Sequence, residues 1–201
     1  MKLKTMLTIL ILFMIYFIFY SISYSHSISK DLENQLFRLH ILANSDSSED
    51  QQIKLHVRNK IISYLNTFSF KNKQELINYL TDNKSQIQKI VQTAIEEKGY
   101  SYDVSIEIGN AFYPQKRYKN VILPSGHYDG LRIKIGKAEG HNWWCVLFPP
   151  MCLIDQSTCE LPKESELILQ NTLSEETNSV ITSSTSTYKF KFKIIDFLNN
   201  L

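Results

Sequence analysis

The sequence predicts an α+β fold, with helices packed on a mostly antiparallel sheet and an export segment ahead of them. Three observations carry this. A 15-residue run, Met6 to Tyr20, is uncharged and follows Lys2 and Lys4. Apolar residues then recur at helical spacing from about residue 50 to residue 98. Alternating stretches flank that block, and helices grouped ahead of a run of strands favour α+β.

The basic start and uncharged run match a secretory signal, whose apolar region spans roughly 7–15 residues. A spanning helix needs about 20. Extension of the run to Ile22 keeps a retained anchor open, while Ser21-x-Ser23 and Ser23-x-Ser25 offer small-residue pairs for cleavage. Residues 1–27 are therefore assigned to a signal peptide or signal anchor, and residues 31–201 to one domain. The chain has 22 Lys plus Arg against 20 Asp plus Glu, a net charge of +2. Lys2 and Lys4 supply all of that excess, so the body is neutral. Proteins that bind nucleic acid by neutralising phosphates are far more basic, so no nucleic-acid partner is expected. The 43% apolar fraction rules out wholesale disorder.

Along the body, Leu36 to Ala43 alternates, with Phe37, Leu39, Ile41 and Ala43 on one apolar face. Asn44-Ser45-Asp46-Ser47 punctuates the chain, and Ser47-x-x-Asp50 resembles a capping box with Asp in place of Glu. A helix follows on the stripe Ile53, Val57, Ile61, Tyr64, Leu65 and Phe68, with Glu49 and Asp50 at its positive end. Lys73 to Lys98 carries a second stripe, which the polar run Thr81 to Gln86 can split in two; Lys98-Gly99 stops it. Tyr102, Val104, Ile106 and Ile108 predict a half-buried strand. Lys119 to Leu123 and His127 to Ile135 predict two strands around the turn Pro124-Ser125-Gly126. Trp143 to Phe148 is apolar almost throughout, as in a central strand, and Pro149-Pro150 ends it. Asp155 to Glu176 holds six acids with a weak helical pattern; residues 177–187 are Ser/Thr-rich and are expected to form a mobile loop. Tyr188 to Ile194 alternates with Lys189, Lys191 and Lys193 as an amphipathic strand.

The sequence shows no catalytic motif. His40, His56, His127 and His141 are scattered without zinc spacing, and no cofactor or metal is expected. Asp46, Glu49 and Asp50 suit helix capping better than a calcium loop, which needs a glycine and spaced oxygens. Six residues separate Cys145 from Cys152, and six separate Cys152 from Cys159. In an exported chain such cysteines are read as disulfide partners before metal ligands, and one must be left over or pair between molecules. The run Asn142-Trp143-Trp144-Cys145-Val146-Leu147-Phe148-Pro149-Pro150-Met151-Cys152 holds both tryptophans. It has two readings: aromatic core clamped by a Cys145–Cys152 bridge, or tryptophans on opposite strand faces with one shown to a partner.

This run resembles the stage II sporulation protein R family. So do Arg38-Leu39-His40-Ile41-Leu42-Ala43-Asn44-Ser45-Asp46 with Glu49-Asp50-Gln51, Leu55-His56-Val57-Arg58, and Pro124-Ser125-Gly126-His127-Tyr128. Ser125 stands where the family commonly has Ala, and Met151 where it has Leu. Cys159 lies outside the motif, which leaves it as the odd thiol. The resemblance implies a signal rather than an enzyme. It implies export from the forespore into the space between forespore and mother-cell membranes. There the protein activates a membrane-embedded aspartic-type protease, which processes the sigma factor E precursor. An uncleaved N-terminal segment would add a membrane contact. Contact candidates are Asn44, Asp46, Asp50, Asn142, Trp143, Trp144, Phe148, Pro149 and Pro150. The alternatives are an exported cell-wall hydrolase, using Cys145 or the Asp46 and Asp50 pair, and a wall-binding module.

Overall fold

Phe37–Leu42 (β1) lies inside a four-stranded sheet and is buried on both faces. The computed structural model describes residues 2–118, 121–152 and 163–183. The other strands of the sheet are Val104–Tyr113 (β2), Gly126–Ile135 (β5) and Asn142–Phe148 (β6), in the order β2-β5-β1-β6. β1 runs parallel to β5 and antiparallel to β6, and β2 runs antiparallel to β5. Two pairings of three are therefore antiparallel, and the sheet is mixed.

The first face carries Phe37, Leu39 and Ile41 of β1 with Leu131, Ile133 and Ile135 of β5. Three helices cover it: Ser48–Leu65 (α2), Lys73–Asp82 (α3) and Lys84–Glu96 (α4). They bury the stripes read from the sequence, including Ile53, Val57, Ile61, Leu76, Leu80, Ile87 and Val91. Each such side chain contributes about 1.5–3 kcal/mol on burial. The second helical stripe is indeed two helices, parted at Asn83. Gly99, at φ +81°, follows the end of α4 in the left-handed region that favours glycine.

The second face departs from the alternation. Arg38 and His40 alternate with the strongly apolar face of β1, yet they are 0% and 7% exposed. Above them lie Tyr113, Tyr128 and Trp144, with Ile28, Leu32 and Leu36 from the N-terminal region. Gly130 makes this approach possible. A Cβ there would sit 1.9 Å from the Tyr113 hydroxyl and 2.7 Å from the Arg38 carbonyl oxygen.

Several expectations change. The N-terminal helix α1 runs from Lys2 to Gln35 without a break. Its apolar stretch is exposed, but Ile28 and Leu32 are buried, so its last turns join the core ahead of residue 31. Asp31 Oδ2 accepts hydrogen bonds from the Ser174 backbone N–H (3.1 Å) and hydroxyl (2.9 Å). Residues 122–123 do not pair with β5: Ile122–Leu123 (β4) pairs with Lys116–Arg117 (β3), while β5 takes β2 and β1 as neighbours. Among the described residues β6 has one neighbour in the sheet, β1. Its burial comes from covered faces, which an apolar run cannot distinguish from a central position. Part of the Ser/Thr-rich stretch is helical: Lys163–Thr172 (α5) is followed by Glu175–Ser183 (α6), which buries Thr177 and Ile181. The Ser174 hydroxyl accepts the Thr177 N–H (3.2 Å), which supplies the cap that composition alone did not suggest. The expected strand at 188–194, the rest of the 177–187 loop and Cys159 lie outside the described residues.

Candidate functional site

The turn after β1 is an interlocked structure. Ser47 caps α2 by accepting the Asp50 N–H (3.1 Å). The Asp50 carboxylate does not take the Ser47 backbone N–H as a capping box would; that N–H goes to the Ser45 hydroxyl (3.2 Å). The carboxylate accepts instead from Asn44 Nδ2 (2.8 Å) and the Ser45 hydroxyl. Asn44 in turn accepts the Lys137 N–H (3.0 Å), and Ala43 O accepts the Gly140 N–H (3.0 Å). A Cβ at Gly136 would meet Asn44 Oδ1 at 2.3 Å, and one at Gly140 would meet Ser45 O at 2.1 Å. Burial pushes the Asp50 carboxyl up, but hydrogen bonds from Ser45, Asn44, Tyr102 and Ser47 outweigh it and hold the group below its ordinary value. Asn44 and Asp50 are thus committed inside the fold.

Asp46 stands outside, on the same turn. It accepts both the backbone N–H and the ring Nδ1–H of His141, bonds that hold its carboxyl below the ordinary value. Lys54, buried on α2, donates to His141 O (2.9 Å) and to Gln51 Oε1. One turn further along α2, the Arg58 guanidinium lies over the half-buried Trp143 ring, 4.2 Å from its centroid. Lys116 Nζ approaches the same ring at 5.7 Å. The Arg58 Nε and Nη2 both donate to Asn59 Oδ1 (3.0 and 2.7 Å).

Trp144 faces the other way. It stacks on His40 at 3.5 Å between centroids and 14° between planes, and meets Tyr113 edge-on at 5.2 Å. Burial pushes the His40 pKa down to about 4, against a hydrogen bond with Asn142 that raises it, so the imidazole is neutral at pH 7; Arg132 and Lys134 act in the same direction as burial. Beneath it, Arg38 sits between the rings of Tyr113 (5.0 Å) and Tyr128 (5.1 Å) and donates to Pro114 O (3.3 Å). A β-bulge between Phe37 and Arg38 shifts the register on β6, placing Phe148 with Cys145 on the first face. Phe148 and Pro149 are buried, Pro150 is half-buried and Asn142 is exposed. Cys145 and Cys152 are disulfide-bonded, with Cα atoms 5.3 Å apart.

The four stretches quoted from the sequence therefore converge. Arg58 covers Trp143, the Asn44–Asp50 turn holds His141, and Tyr128 joins Arg38 beneath Trp144. Sequence reasoning did not single out Lys54, Arg58 or Lys116 as site residues. Lys54 and Arg58 are four apart on one helix, a cation pair on a single face, and that spacing was the available clue.

The chemistry open to this surface is limited. Cys145 is bonded to Cys152 and offers no thiolate. Asp46 and Asp50 are both held below the ordinary value, so neither is the protonated carboxyl that acid–base hydrolysis requires at neutral pH. Among the described residues no group of His, Cys, Asp and Glu could hold a metal ion.

Comparison with known proteins gives one family. The profile for stage II sporulation protein R matches residues 33–158. The curated stage II sporulation protein R of Bacillus subtilis (strain 168) is 36% identical over 137 residues, 67% of this chain. That match spans 61% of the relative's own length. No solved structure matches.

Proposed function

The chain belongs to the stage II sporulation protein R family and has a role in sporulation, and from that premise we propose that it is the exported signal that activates the membrane-embedded protease processing the sigma factor E precursor. It acts in the space between forespore and mother-cell membranes. The observation that carries this reading is the N-terminal helix. Its exposed apolar stretch fits a signal or anchor segment, and its last turns are built into the folded core. A rigid domain is thereby delivered to a membrane surface, where a membrane-embedded partner would meet it. Activation then requires that the protein bind the active state of the protease more tightly than the inactive one.

The test is reconstitution in a non-sporulating host that makes only the protease, the sigma factor precursor and this chain. Precursor cleavage that appears only with the chain present supports the reading. Cleavage at the same rate without it overturns the reading. Trp144→Ala supplies a second arm: a folded variant with full processing removes Trp144 from the contact surface.

A further inference from the structure

We propose that Trp143, Arg58 and Lys116 form a docking site for an acidic segment of the partner protein, with a carboxylate seated against the Arg58 guanidinium. The proposal deepens the signalling reading and rests on it for the partner's identity.

Trp143 lies near the start of β6, which among the described residues ends the sheet, and is half-buried. The Arg58 guanidinium lies over the indole, 4.2 Å from its centroid, and presents a planar fork of N–H donors. That fork matches a carboxylate in two-point contact. Only Nε and Nη2 are engaged, both by Asn59; Nη1 has no partner among the described residues.

Several cations elsewhere on the domain are paired. Arg132 and Lys134 hold Glu107, Lys60 holds Glu97, and Lys73 holds Asp129. Among the described residues neither Arg58 nor Lys116 has such a partner. Lys54, four residues before Arg58 on α2, is turned toward His141 O, and its charge is met by that of Asp46. The nearby acid, Asp46, is engaged by His141. The body of the chain is neutral overall, so two cations over one indole are a local feature and not general basicity. Arg58 also bears the cost of partial burial, with no carboxylate among the described residues to offset it. An incoming acid would supply that offset, which makes the site selective for negative charge.

Two measurements test this. The full chain in detergent micelles is titrated with a synthetic peptide alternating Glu and Thr, and with its Lys/Thr counterpart, following tryptophan emission. Preferential binding of the Glu peptide is expected, weakened about tenfold by Arg58→Gln and by Lys116→Gln. Arg132→Gln, on the other face, should leave it unchanged. Equal binding of the two peptides, or none, overturns the proposal. In the reconstituted host, R58E/K116E should cut precursor processing about tenfold or more while K134E does not. Thermal unfolding checks that each variant is folded. If the native chain drives processing and folded R58E/K116E does so equally, the docking site is wrong and the signalling reading stands. If the Glu peptide binds as expected but processing ignores the chain, the signalling reading fails and the docking site stands. Self-association that R58E/K116E abolishes would make the occupant a second copy of this chain and overturn the proposal.

Discussion

Mild acidification should destabilise this protein chiefly through His40. The imidazole is 7% exposed, stacked on Trp144, and its pKa is pushed down to about 4 from an ordinary 6.5. The folded state therefore favours the neutral ring. That contribution is complete above pH 6.5, is lost as pH falls toward 4, and then levels off. The difference of roughly 2.5 pH units corresponds to about 3 kcal/mol, a large share of a typical domain's 5–15. The carboxyls of Asp31, Asp50 and Asp129 are also held low, but the stability they give is lost only below their ordinary 3.8, beneath the histidine window. Urea unfolding at pH 7 and pH 4.5 reads the effect as a loss of roughly 2–3 kcal/mol in the native chain. His40→Gln and His40→Phe cannot titrate there, and the loss should shrink by about 2–3 kcal/mol whatever their stability at pH 7. Equal pH dependence in native and variant chains would show that the buried stack is not the acid-sensitive element.

Three further outcomes follow from the packing. Gly130→Ala drives a Cβ into the Tyr113 hydroxyl and the Arg38 carbonyl, and should cost at least about 2 kcal/mol by urea unfolding; a wild-type midpoint refutes the close approach. Leu32→Ala, at a fully buried position on α1, should cost about 2–5 kcal/mol, whereas no loss would mean that the helix end is not part of the core. C145S/C152S opens a loop with a sequence separation of 7 and should lose about 2–3 kcal/mol, read as the change in thermal midpoint; an unchanged midpoint shows that the bridge adds no constraint.

The helical layer was legible because its signals are local. Ser47 and Gly99 mark helix ends, and the stripes from Ile53 to Ile95 bury as spaced. The second face was not legible, because what covers it comes from far along the chain. Arg38 and His40 look like the wet side of a strand until Tyr113, Tyr128 and Trp144 arrive from more than 70 residues away. The same holds for the candidate site. Both tryptophans could be placed on opposite faces by alternation alone, and they are. That Trp143 meets Arg58 and Lys116 while Trp144 meets His40 depends on the α2 crossing and on where β3 falls. One clue on α1 was overlooked: Ile28 and Leu32 are four apart, with Leu36 four beyond, a helical stripe continuing past the apolar run.

The unbroken helix α1 has a mechanical consequence. Its 34 residues make a rod of about 50 Å, and no hinge separates the apolar stretch from the turns locked into the core. Held in a bilayer, such a rod would act as a mast and not as a leash. Any tilt of the helix in the lipid would swing the whole domain with it, and Trp143 would ride at a set height above the headgroups. The search for a membrane-embedded partner would then be confined to a thin layer, sampled in two dimensions and in one orientation. Cutting the rod within the serine-rich stretch, ahead of Ile28, would spare the core and convert the same domain into a freely tumbling messenger.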